Sequence, residues 1–122
     1  MNLYMITDDV LSPIDRDSFR LERDIQNLVE KNLETLFSLE LVASEFSVDN
    51  FRLDTLAFNP ETSSFVIIEY KKGSSYSVID QGYTYLQLLL NNKSDFLLVL
   101  SQHFNKVLKM EDVDWSQSRI IF

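Results

Sequence analysis

Apolar positions along FRLERDIQNLVEKNLETLF recur at helical spacing, with Phe19, Leu21, Ile25, Leu28, Val29, Leu33, Leu36 and Phe37 forming one stripe. The spacing predicts a helix from Phe19 to Phe37, with Asp17 or Ser18 as its N-cap. Glu22, Gln26 and Glu30 follow one another at intervals of four, so they form a polar line beside that stripe. LELVASEFSV then reads as a strand, Asp49-Asn50 as a turn, and FRLDTLAF as a second strand. Pro60 within NPETSS favours another reversal, and FVIIEYK follows as a third strand, too continuously apolar to leave one face in water. A second helix is predicted from about Val78 to Asn91, capped by a serine near 75 or 77. Gly82 weakens it by about 1 kcal/mol relative to alanine, which points to something packed close to its backbone. DFLLVLS reads as a fourth strand, HFNKVLKMEDVDW as an irregular connector and SRIIF as a fifth strand. The expected order is one helix, three strands, a helix, a strand, a connector and a last strand.

Charge interrupts this pattern in one place. Asp54 sits in the second strand, and the third strand ends in Glu69, Tyr70, Lys71 and Lys72. A buried or half-buried charge is costly unless it is paired or binds a metal. Strand side chains alternate, so Glu69 and Lys71 share a face and Tyr70 takes the other. A turn at residues 59–64 brings Asp54 beside Glu69 on the neighbouring antiparallel strand. Two carboxylates that close repel unless a cation lies between them or one keeps its proton. Magnesium would resolve the conflict, since it is held by one or two carboxylates with waters and phosphate oxygens.

Asp54, then Glu69, one residue and Lys71, together with the helix and strand order, resembles the PD-(D/E)XK nuclease superfamily. Leu53 stands where the motif name has proline. FRLDTLAFNPETSSFVIIEYKK, VIDQGYTYLQLLLNNKSDFLL and DVDWSQSRIIF together are similar to a group of uncharacterised bacterial PD-(D/E)XK nuclease-like proteins, over essentially the whole chain. The resemblance implies a restriction-endonuclease-like αβββαβ core with a mixed central sheet flanked by helices. It also implies metal-dependent phosphodiester hydrolysis, most naturally of DNA. Asp54, Glu69 and the Tyr70 backbone carbonyl would hold Mg2+ or Mn2+, with Glu22 assisting and Glu30 a second candidate on the same helix. Lys71 would orient the attacking water or stabilise charge on the phosphorane, a contribution of about 2.7 to 4 kcal/mol when such contacts are lost. Gln81 would bond the phosphate or the water; Tyr85, Lys72 and Arg52 would contact substrate. Asp80, Gln81 and Tyr85 look like the polar helix motif of the superfamily.

Plainer readings stand beside these. Asp54 with Lys71, or Glu69 with Arg52, would make ion pairs at a sheet edge; Glu22 and Glu30 would be a solvated helix side; Gln81, Tyr83 and Tyr85 would be helix packing. Trp115 reads as an anchor at a strand entry, the arginines 16, 20 and 23 as a solvated face, and His103 has no acidic or serine partner at a recognisable spacing.

Composition sets outer bounds. With 122 residues, 45% apolar and 25% charged, the chain is expected to be one domain, 1–122, either whole or the N-terminal part of a longer parent, since it stops at Phe122 within an apolar strand pattern. Cysteine is absent, so there are no disulfides or thiolate sites. No run approaches the roughly 18 apolar residues of a membrane span, and the N-terminus lacks signal-peptide character, so a cytoplasmic location is expected. The net charge is −8, from 19 acids and 11 bases, whereas nucleic-acid affinity rests on neutralising phosphates. DNA binding would therefore need a local basic patch, a divalent ion, a homodimer or a partner subunit. The alternative is a non-cleaving protein on the same scaffold, either an acidic inhibitor that imitates DNA or an idle subunit.

Overall fold

The computed structural model describes the backbone of residues 6–7, 10–11, 18–70 and 75–122, and the side chains of residues 21–70 and 81–122. A two-residue hairpin, β1 (Ile6–Thr7) and β2 (Val10–Leu11), is followed by α1 (Ser18–Lys31) and α2 (Leu33–Phe37). Then come β3 (Glu40–Val48), β4 (Phe51–Asn59), β5 (Ser64–Ile68), α3 (Ser75–Asn91) and α4 (Lys93–Phe104). Two short 3-10 turns, Met110–Asp112 and Trp115–Gln117, lead into β6 (Arg119–Ile121).

The single helix expected up to Phe37 is two. At Asn32 the side-chain amide donates to Leu28 O at 2.8 Å, competing with the helical ladder as short polar side chains do. The chain restarts as α2 and stops at Ser38, which adopts φ 57° and gives its N–H to the last turn. Asn92 repeats the device between α3 and α4, its amide donating to Leu88 O at 2.8 Å, and α4 stops at Asn105 with φ 55°.

The strand expected over DFLLVLS is instead the middle of α4. Phe96 and Leu100, one helical turn apart, are fully buried, while Leu98 between them is 60% exposed. A short apolar run fits either period, and only burial at a spacing of four decides it. SRIIF is consequently the fourth strand of the main sheet, not the fifth.

That sheet has the order β3-β4-β5-β6. β3 to β5 form an antiparallel meander, and β6 lies parallel to β5, as it must after a crossover through α3 and α4. Asp49 and Asn50 both take positive φ, 48° and 66°, the requirement of a two-residue hairpin turn that matches strand twist. In β3 the pairing shifts between Leu41 and Ala43, leaving Val42 as an extra residue, and Glu45 adopts φ 55°. β5 is buried along its whole length, in keeping with its expected central position.

Helices cover both faces. Leu56, Phe58, Phe65 and Ile67 pack against Tyr85, Leu88 and Leu89 of α3 and Phe96 and Leu100 of α4. Ala57, Val66 and Ile68 face the other way, against Val29 of α1, Leu33 of α2 and Leu39. The protein is thus α/β, with a four-stranded mixed sheet flanked by helices. Phe65 anchors the first layer through edge contacts with Phe58 and Phe96 and a tilted contact with Trp115, at 5.7, 5.6 and 5.6 Å. Trp115 also donates its indole N–H to Met110 O at 2.9 Å and so pins the turn before β6, the anchoring expected of it. Gly82 does have a close neighbour: the ring of Phe122 would lie 3.5 Å from a Cβ placed there. Among the described residues, no helix is long and apolar enough to cross a membrane.

Candidate functional site

The β4–β5 ladder ends at the pair Thr55↔Ile68. One residue further, side chains take over from the backbone. Glu69 Oε2 accepts from the Asp54 N–H at 2.7 Å, and Asp54 Oδ2 accepts from the Tyr70 N–H at 3.0 Å. Each carboxylate therefore holds the peptide of the opposite strand, and the Glu69 N–H turns to Ile121 O of β6 at 2.9 Å. Continued alternation puts Asp54 on the face of Leu56 and Glu69 on the face of Ile67, the face covered by α3. From α3 the Tyr85 hydroxyl donates to Glu69 Oε1 at 3.2 Å. Glu69 is only 2% exposed, while Asp54 is half-buried.

Burial and the nearby carboxylates mark this spot electrostatically. Tyr85 is pushed up to about 12, chiefly by burial and then by the charge of Glu69 and the bond to it, with Asp54 adding a smaller share. Tyr70 is also pushed up to about 12, again by burial first, with Glu30, Asp54 and Glu69 adding to the shift.

The opposite face carries a second polar set. Glu30 Oε2 accepts from Thr55 Oγ1 at 2.5 Å, Ser44 Oγ at 2.9 Å and Gln26 Nε2 at 3.2 Å. Gln26 Nε2 also donates to Asp54 O at 2.9 Å, and the hydroxyls of Thr55 and Tyr70 lie 3.0 Å apart. The polar line along α1 therefore rests on the sheet through Gln26 and Glu30. Glu22 is half-buried, one turn further along the same line. Ser44 and Thr55 are members of the site region that the sequence does not point to, and Gln26, placed by its spacing on the polar line of the first helix, carries no site role there. The interval of four from Gln26 to Glu30 was the available signal, but its partners are 14 to 28 residues distant.

The structure brings Asp54, Glu69, Tyr70 and Tyr85 together. Lys71 and Lys72 lie outside the described residues, as do the side chains of Asp80, Ser75 and Ser77; of the two serines expected as caps, Ser75 opens α3 and Ser77 lies within it. Gln81 is half-buried on α3, one turn before Tyr85. Arg52 pairs with Glu45 at 3.5 Å, with both side chains largely solvated; the ion pair considered for it with Glu69 is thus replaced by one along the hairpin. His103 lies 3.4 Å from Glu40 Oε1 at the surface. Among the described residues, no three of His, Cys, Asp and Glu converge to hold a metal. A divalent ion at the Asp54–Glu69 pair would accordingly draw on two carboxylates, backbone carbonyl and water, an all-oxygen set that fits magnesium.

The chain is 48% identical over all of its 122 residues to an uncharacterised protein of Haemophilus influenzae. It spans 40% of that relative's length. No family model matches the chain, and no solved structure matches it.

Proposed function

We propose that this chain is a PD-(D/E)XK-type nuclease domain, a hydrolase that cleaves phosphodiester bonds in nucleic acid, with DNA the favoured substrate and the cytoplasm its location. The observation that carries the reading is the meeting of Asp54 and Glu69 where β4 and β5 part, each carboxylate fixed by the other strand's N–H. Support also comes from the element order: after the leading helices, three antiparallel strands, a helical crossover and a parallel fourth strand.

Asp54, Glu69 and the Tyr70 carbonyl would hold Mg2+ or Mn2+, with Glu22 assisting through water. The bound ion would polarise the phosphate and supply a water of lowered pKa. An ionised carboxylate has about four lone-pair sites, so a bond to one backbone N–H does not prevent either acid from also meeting a cation. Tyr85 is 8% exposed with its hydroxyl committed to Glu69, so its part is to position that carboxylate. Gln81, one turn away on α3, is assigned a phosphate oxygen or the attacking water. Lys71, two residues beyond Glu69, is assigned the charge developing on the phosphorane, and Lys72 and Arg52 the nucleic-acid backbone. A net charge of −8 makes a homodimer or a partner subunit the means of holding DNA. The inhibitor alternative needs acids dispersed over a surface, whereas these two acids converge below it.

The test is calorimetric titration of Mg2+ or Mn2+ into the wild type and Asp54→Asn, with plasmid and oligonucleotide cleavage by Glu69→Gln and Lys71→Ala. Ion binding lost in the first variant and cleavage lost in the other two are expected. Cleavage that survives in both Glu69→Gln and Lys71→Ala refutes the assignment.

A further inference from the structure

The bonds on the α1 face have a fixed direction. Glu30 carries no proton to give when ionised, so Thr55 Oγ1 donates to it. A threonine hydroxyl has one hydrogen, and the remaining contact, 3.0 Å to the Tyr70 hydroxyl, must therefore run from tyrosine to threonine. The chain of donors is Tyr70 to Thr55 to Glu30. Tyr70 is held at its other end too, because its backbone N–H bonds Asp54 Oδ2. The Asp54 carbonyl is gripped from the same helix by Gln26, which also bonds Glu30. Thr55 is completely buried, so its hydroxyl relies on Glu30 and Tyr70 for its partners.

We infer that Glu30 is a positioning residue for the Asp54–Glu69 pair, acting through Thr55 and the Tyr70 hydroxyl on one branch and through Gln26 and the Asp54 carbonyl on the other. This rests on the proposed nuclease site and gives the α1 face a role in it, that of keeping the Tyr70 peptide and the Asp54 carboxylate at the fork where β4 and β5 separate. It differs from a ligand role, in which Glu30 would itself touch the ion. It differs also from simple helix docking, in which only overall stability would depend on it.

Mn2+ titrations, with folding checked by circular dichroism, distinguish these cases. Loss of partners that orient metal ligands typically costs about 10 to 100-fold in affinity, and a drop in that range is expected for both Glu30→Ala and Tyr70→Phe. Glu30→Gln retains an acceptor for Thr55 and should stay within a few-fold of the wild type, which a direct carboxylate ligand would not tolerate. Wild-type affinity in folded Glu30→Ala and Tyr70→Phe overturns the inference while leaving the site intact, provided Asp54→Asn has lost the ion. Glu30→Gln as weak as Glu30→Ala overturns it in favour of a ligand role. If Mn2+ does not bind the wild type, the nuclease reading fails. The clamp is then judged by amide exchange at Asp54 and Tyr70 in Glu30→Ala against Glu30→Gln: faster exchange confined to alanine upholds it, and equal exchange in both overturns it.

Discussion

Removing the Tyr85 hydroxyl isolates a single bond to a buried acid. In Tyr85→Phe the ring stays in the α3-facing core, with its edge contact to Phe51 at 6.4 Å, and only the donor to Glu69 Oε1 is lost. Hydrogen bonds to charged groups contribute about 1.5 to 3 kcal/mol. At 3.2 Å this one is longer than the roughly 2.5 to 2.7 Å of a strong hydroxyl–carboxylate bond, so the low end applies, about 1.5 kcal/mol. With a urea dependence of about 1 to 3 kcal/mol/M for small domains, the unfolding midpoint should fall by roughly 0.5 to 1.5 M with an unchanged slope. Urea unfolding followed by circular dichroism measures this directly. A midpoint equal to or above that of the wild type would mean that Glu69 does not draw on the hydroxyl, and the positioning role given to Tyr85 would fall with it.

Other outcomes follow from the same contacts. Tyr70 and Tyr85 keep their protons to about pH 12 in the folded protein but ionise near 10 when unfolded. Their contribution to stability is thus complete below pH 10 and lost as the pH rises to 12; phenolate absorbance should show a late component that shrinks in Tyr70→Phe and in Tyr85→Phe. Phe65→Ala empties the centre of the aromatic layer and should cost about 3 to 5 kcal/mol, a large part of a typical 5 to 15 kcal/mol total, visible as a steep fall in Tm. Gly82→Ala meets the Phe122 ring at an ordinary contact distance and should stabilise α3 by about 0.5 to 1 kcal/mol, read as a raised Tm.

Features set by local chemistry were legible in the chain. The Asp49-Asn50 turn, the central apolar β5 and the start of β6 follow from turn residues and period-two patterning, and Asp54 and Glu69 meet because a short reversal separates them. The FLLVL run, expected as a strand, lies in α4; five apolar residues satisfy both periods. An acidic side chain near the start of α4, Asp95, and a basic one near its end, His103, suit the two ends of a helix and are the signal that distinguishes it from a strand. The break at Asn32 turned on a side chain choosing Leu28 O over solvent, which spacing does not reveal. The Glu30–Thr55 contact depended on how α1 lies across the sheet, a matter of packing between segments 25 residues apart.

The irregular outer strand β3 bears on assembly. A neighbouring molecule that tried to extend the sheet there would find the row of peptide groups broken by Val42 and twisted aside at Glu45, so successive N–H and C=O groups fall out of step with a straight incoming strand. Self-association through continuous β-pairing is thereby discouraged on that flank. Copies meeting on that flank would have to do so through helical or loop surfaces instead.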